Sequence, residues 1–123
     1  MGFGFPRSRR ITHGAEIRAI IGRGKRSRTA HLDVFISASP VLRSRAGLIV
    51  PRHGHRIVDR NRLKRRLREI IRKDVLPRLD ASAAALDILV RARRDAYQAS
   101  FVDLKDELCG WMEREWPRGF SSC

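Results

Sequence analysis

Between Arg60 and Arg68 six basic side chains occupy nine positions, and no carboxylate, hydroxyl or thiol interrupts them. Guanidinium and ammonium groups at this density perform no covalent chemistry of their own. They donate hydrogen bonds to phosphate oxygens, and arginine suits bidentate phosphate contact. At about 100° per residue, Asn61, Arg65, Arg68 and Arg72 share one narrow arc of a helix, Arg62 and Lys64 flank it, and Leu63 and Leu67 lie opposite. One face is made to pack and the other to meet phosphate. Like charges three or four residues apart repel by roughly a few tenths of a kcal/mol per pair, and only Glu69 compensates them nearby. A polyanion reverses the sign of that repulsion and adds counterion release.

Other chemistry-bearing residues are sparse. Residues 1 to 73 hold four acids, Glu16, Asp33, Asp59 and Glu69, and these form no evident metal-binding or acid–base cluster. His53 and His55 have no nearby cysteine and no third ligand, so they read as phosphate contacts rather than a metal pair. Asp103, Asp106 and Glu107 fall mostly on the solvent face of a helix and do not read as a catalytic acid cluster. Cys109 and Cys123 neither frame a disulfide scaffold nor match a zinc-site spacing, which fits a reducing, intracellular setting. No catalytic residue and no metal site is expected on the chain, and no bound cofactor.

Composition sets the partner class. The 123 residues, 42% of them hydrophobic, suffice for one compact domain with one core. With 27 Lys and Arg against 13 Asp and Glu, the net charge is +14. Self-repulsion at that charge disfavours the compact state unless a polyanion binds. Residues 1 to 73 carry 20 of the basic groups and residues 74 to 123 only 7, so the binding surface lies in the first three-fifths. The first ten residues lack an apolar signal core and no run of about 18 apolar residues occurs. A cytoplasmic protein is expected, without membrane association.

The elements that must position the basic row follow from periodicity. Residues 1–10 read as a loose basic arm. Ile17, Ile20 and Ile21 recur at helical spacing, so a first helix spans about 12–22, with Thr12 as N-cap and Gly22 and Gly24 as the stop. Leu32, Val34, Ile36 and Ala38 alternate against Asp33, Phe35 and Ser37, the mark of a half-buried strand. Phe35 then stands on a polar face, where it is either core or a platform for a base. Residues 47–50 make a second strand, expected to pair with the first in a tight antiparallel arrangement across an irregular link at 39–45. The helix of the basic row runs 57–76, opened by Asp59 as N-cap and closed before Pro77. Leu86 to Val90 is a buried strand, giving a βαβ crossover. Ser100 caps a last helix with Phe101, Leu104, Leu108, Trp111 and Met112 on one face. Residues 117–123 are expected to fray.

Arg60-Asn61-Arg62-Leu63-Lys64-Arg65, followed by Arg68-Glu69, resembles the RNR signature of the bacterial ribonuclease P protein family. The likeness continues through Gly47-Leu48-Ile49-Val50-Pro51-Arg52-His53, Arg10-Ile11 and Asp87-Ile88-Leu89-Val90-Arg91, and covers roughly residues 10 to 114 in order and spacing. It implies an α/β sandwich of order α-β-β-(β)-α-β-α in which the RNR helix crosses between parallel strands with a left-handed turn; general chain physics favours the right-handed one. It also implies an accessory subunit that binds a catalytic RNA and the single-stranded 5′ leader of precursor tRNA, with Mg2+ held by the RNA. No obligate protein partner is evident.

Carried over residue by residue, the likeness assigns RNA contact to Arg52, His53, Arg56, Arg60, Asn61, Arg62, Lys64, Arg65, Arg68 and Arg72. It assigns the leader cleft to Ile17, Ile21 and Phe35. The chain departs from the family pattern in that Ile17 and Ile21 stand where aromatic residues are usual, and isoleucine offers no aromatic surface for bases. Leader contacts are therefore expected to lean on Phe35. His53 and His55 replace a lysine and a glycine, lowering the charge of that loop at neutral pH. Two other readings compete: a ribosomal or general RNA-binding protein without a catalytic RNA partner, which the charge and helix pattern fit equally, and a self-sufficient nuclease, which would need the missing acid cluster.

Overall fold

The computed structural model describes residues 7–52, 54, 56–81 and 85–115. Its elements run α1 (Gly14–Arg23), β1 (Lys25–Arg28), β2 (Leu32–Ala38), β3 (Arg45–Ile49), α2 (Ile57–Ile70), a π-helical segment (Ile71–Val75), α3 (Leu76–Ala81), β4 (Leu86–Ala92) and α4 (Phe101–Glu115). The four strands form one mixed sheet in the order β1-β2-β4-β3. β1 and β2 form an antiparallel hairpin, β4 pairs antiparallel with β2, and β3 lies parallel to β4. The expected βαβ crossover is therefore present, with α2 between β3 and β4.

β2 and β3 are not neighbours, contrary to the direct pairing expected from the sequence. β4 separates them because its Ile88, Leu89 and Val90 are all fully buried, and a strand apolar on both faces belongs in the middle of a sheet. The order implied by the family likeness had room for a third strand before the RNR helix, but residue patterning did not locate β1: Lys-Arg-Ser-Arg has no apolar alternation, and its register with β2 makes it a strand.

Helix boundaries differ at three places. α1 begins at Gly14 with His13 in the cap position, so Thr12 is not the N-cap. α2 is preceded by Arg56, and Asp59 sits in the first turn, where it accepts a hydrogen bond from Arg56 Nε at 3.1 Å. The chain also stays helical through Pro77. The Leu76 N–H donates to the Ile71 carbonyl five residues back, and Pro77 then falls in the first turn of α3, where a missing N–H does little harm. Burial of Ile71, Val75, Leu76 and Leu79 holds this continuation to the core. Ser100 caps α4 as expected: its Oγ accepts from the Asp103 N–H at 3.0 Å, and the Asp103 carboxylate accepts from the Ser100 N–H at 3.3 Å. Cys109 on α4 is buried.

The part of the basic arm that is described is docked rather than loose. Arg9 Nε donates to the Ser44 carbonyl at 2.8 Å, its Nη2 pairs with Asp80, and the Ile11 N–H donates to the Ala46 carbonyl at 2.8 Å. Gly47 is what admits this segment, since a Cβ there would stand 2.8 Å from the Ile11 carbonyl oxygen. Residues 1–6 and 117–123, the remainder of the arm and the expected frayed tail, lie outside the described residues.

The sheet has one core on each face. Leu32, Val34, Ala46, Ile88 and Val90 pack with the Leu63, Leu67 and Ile70 stripe of α2 and with Leu104, Leu108, Trp111 and Met112 of α4. On the opposite face a smaller cluster joins Phe35 and Leu89 to Ile11 and to Ile20 of α1, with Ile17, Ile21 and Ile49 partly buried against it. A buried ion cluster pins α1 to that face. Arg45 donates to Asp87 through Nε at 3.0 Å and Nη2 at 2.8 Å, and Nη2 also reaches Glu16 of α1 at 2.9 Å. The hydrogen bonds to Asp87 first, and to Glu16, raise the Arg45 pKa further above its ordinary value despite burial.

Asp87 is 1% exposed, so removing its partner leaves a buried charge uncompensated. Arg45→Met is expected to lower unfolding stability by about 3 kcal/mol, measured by urea denaturation; a loss under about 1 kcal/mol would show that the cluster does not anchor α1.

Candidate nucleic-acid interface

Packing of Leu63 and Leu67 turns the arginine row of α2 outward. Asn61, Arg62, Arg65 and Arg68 are exposed, while Arg60, Lys64, Arg66 and Arg72 are half-buried. Among the described residues Arg62, Arg65 and Arg68 have no acidic partner within salt-bridge distance. Arg66 donates to the Ala99 carbonyl at 3.2 Å, and Glu69 pairs with Arg72 at 2.5 Å and with Lys73 at 3.0 Å. Arg72 thus shares the expected arc but is partly neutralised within the helix. Arg52 and Arg56 are exposed beside the turn at Gly54, whose φ of 78° suits a residue without a Cβ. His53 and His55 lie outside the described residues.

Lys64 reports the local potential. Burial lowers its pKa below the ordinary value, and the charges of Arg60, Arg68 and Arg52 lower it further. Cations crowded in this way favour a bound anion.

Lys64 and Arg68 also line a groove of about 190 Å³ together with Arg10, Thr12, Ile17 and Leu48. The structure therefore brings Ile17 of the expected cleft and the RNR row to one continuous surface. Ile21 lies half-buried on the same side of the sheet, packed against the smaller cluster. Phe35 does not offer its ring there: it is 2% exposed and belongs to the core under α1. The polar neighbours Asp33 and Ser37 suggested an open face, but α1 and Ile11 cover it.

A second basic group was missed in the sequence. Directly opposed residues on neighbouring strands share a face, and the register Arg28–Asp33–Arg91–Ile49 runs across the sheet on the α1 side, beside Arg26–Phe35–Leu89–Gly47. Asp33 accepts from Arg91 Nη2 at 3.1 Å and Arg93 Nη1 at 2.9 Å, and Arg26 Nη2 stands 3.5 Å away. Burial pushes the Asp33 carboxyl up, but the Arg91 hydrogen bond and the charges of Arg26, Arg93 and Arg91 outweigh it and hold the pKa below its ordinary value. The basic alternation of residues 25–28, read as the partner of an apolar strand, was the available signal.

Among the described residues no three His, Cys, Asp or Glu side chains gather as a metal site, and no helix is long and apolar enough to cross a membrane. An α+β domain presenting one unneutralised arginine face beside a groove belongs to the class of basic proteins built to meet polyanions. Residues 5–115 match the family model Ribonuclease P. The ribonuclease P protein component of Desulfovibrio desulfuricans is 40% identical over 99 residues, which span 77% of this chain and 72% of that one. The fold resembles the RNase P protein of Staphylococcus aureus, with TM-score 0.71, 23% identity and coverage of 87% of this chain and 94% of that chain. It likewise resembles that of Thermotoga maritima, with TM-score 0.70, 24% identity and coverage of 85% and 96%. The chain belongs to the ribonuclease P protein family, the accessory subunits of the endoribonuclease that matures tRNA 5′ ends.

Replacing Arg65 and Arg68 together with Ala is expected to leave the fold intact, since both are exposed on the outer arc. Each lost phosphate contact flattens the slope of log affinity against log salt by about 1. Titrations of the double variant with the ribonuclease P RNA at several salt concentrations check this, and an unchanged slope would place the RNA elsewhere.

Proposed function

We propose that this chain, acting as one domain over residues 1–123, binds the catalytic RNA of ribonuclease P through the outer arc of α2 and takes the 5′ leader of precursor tRNA along the α1 side of the sheet. The RNA contacts are Arg52, His53, Arg56, Arg60, Asn61, Arg62, Lys64, Arg65, Arg68 and Arg72. Ile17 and Ile21 form the apolar wall of the leader groove, and Phe35 supports it from beneath. The observation that carries the reading is the continuity of the two surfaces: Lys64 and Arg68 of the RNR helix line the groove whose other wall includes Ile17. A leader emerging from the RNA-bound active centre can thus stay in contact with the same protein face. Mg2+ bound to the RNA would supply the chemistry at the scissile phosphate, and this chain's own residues contribute position and charge. The family's role in tRNA maturation supports a cytoplasmic setting for this work.

A general RNA-binding protein would also display the arginine row, but it would gain nothing from a groove joined to it. Reconstitution separates the two. With Mg2+ and its cognate catalytic RNA the chain is expected to accelerate leader removal at limiting salt and to favour precursor over mature tRNA. The chain alone is expected to leave precursor tRNA intact. Cleavage by RNase-free protein without RNA, or equal affinity of the complex for precursor and mature tRNA, would contradict the proposal.

A further inference from the structure

On the α1 side of the sheet Phe35 is buried, yet it is not covered by apolar side chains alone. The guanidinium carbon of Arg91 lies 5.0 Å from the Phe35 ring centroid. Its Nη2 is held by Asp33 at 3.1 Å, and the Asp33 side chain is itself 3% exposed. Ile49 opposes Arg91 in the register of β3 and β4. The guanidinium is thus fixed by a ring beneath it and a carboxylate at its edge, while 34% of the side chain stays open to solvent. A planar cation immobilised in this way has already lost most of its rotamer freedom before any ligand arrives.

Nucleobases stack on arginine planes as they do on aromatic rings. Phe35 cannot receive a base itself, but it orients a second flat surface that can. The surrounding charge suits the rest of a nucleotide: Arg26, Arg91 and Arg93 converge on the single carboxylate of Asp33, leaving net positive charge for the flanking phosphates. The half-buried Ile17, Ile21 and Ile49 around the same cluster supply apolar contact at the edges of a base.

We propose that the outward face of Arg91 is the stacking platform for one unpaired purine of the single-stranded RNA leader, with Phe35 as its support and Asp33 as its clamp. This rests on the leader reading above and assigns the base contact within it to a side chain outside the expected site. A purine is favoured over a pyrimidine because its larger, more polarisable ring system gains more dispersion against the guanidinium and the apolar side chains around it.

The test uses the complex reconstituted with its cognate catalytic RNA. 2-Aminopurine is placed at successive leader positions of precursor tRNA, and the wild-type complex is expected to quench one position strongly. An abasic residue there should weaken wild-type precursor affinity by about tenfold. Arg91→Lys keeps the charge and the pairing with Asp33 but loses the plane, so it should abolish the quench and itself cost about tenfold. Combined with the abasic leader it should cost nothing further. Mature tRNA affinity and melting temperature of each protein serve as references. No quenched position in the wild-type complex, a quench retained in Arg91→Lys, or losses that add in the double change would overturn the platform while precursor preference still upholds leader binding. Equal wild-type affinity for precursor and mature tRNA would remove the leader reading and the platform with it.

Discussion

Burial of the Leu63, Leu67 and Ile70 stripe of α2 against the sheet and α4 is the interaction on which the rest depends. These three side chains are almost fully inaccessible, and each contributes about 1.5–3 kcal/mol relative to exposure. The basic residues between them have no freedom to choose another direction. Repulsion among Arg62, Arg65 and Arg68 costs roughly a few tenths of a kcal/mol per pair, far less than the apolar face returns. The fold therefore holds an unfavourable row of cations in place, and what is a cost to the free protein becomes affinity for a polyanion.

The two faces of the sheet divide the labour. The large cluster with α2 and α4 supplies most of the buried apolar surface. The smaller cluster under α1 seats only a few residues, and buried charges do there what apolar area does opposite. Arg45 with Asp87 and Glu16 fixes α1, and Asp33 gathers Arg26, Arg91 and Arg93. On the far edge Glu107 of α4 ties down the β1–β2 turn, accepting from Thr29 Oγ1 at 2.8 Å and the His31 N–H at 2.7 Å. These acids are spent on holding structure; Glu69 pairs with Arg72 and Lys73, and Arg62, Arg65 and Arg68 are left without an acidic partner among the described residues.

Where one strong pattern ruled, the sequence was readable. The helical stripe of α2, the alternation of β2, the apolar run of β4 and the Ser100 cap all appear where periodicity and capping chemistry put them. Failures occurred where tertiary context set the outcome. β1 is polar and exists through pairing with β2; Pro77 should have ended a helix, yet buried Val75, Leu76 and Leu79 carried it on through π turns. The candidate site was legible as charge and less so as shape. The outward direction of Arg62, Arg65 and Arg68 followed from the leucines opposite them. The burial of Phe35 did not, because its neighbours Asp33 and Ser37 are polar and the residues that cover it, in α1 and at Ile11, are remote in sequence. For the same reason the placement of Arg91 over the Phe35 ring could not be read from the sequence.

The central claim, that the core holds an unneutralised cation row outward at an energetic cost, is open to direct measurement on the free chain. Urea unfolding is followed from low to high NaCl for the wild type and for a variant with Arg62, Arg65 and Arg68 changed to Gln. Screening acts strongly on exposed charges and weakly on buried pairs such as Arg45–Asp87. Wild-type stability should therefore rise with salt, and the variant should start more stable at low salt and rise less. Identical salt dependence in the two proteins, or wild-type stability that falls as salt is added, would contradict the account.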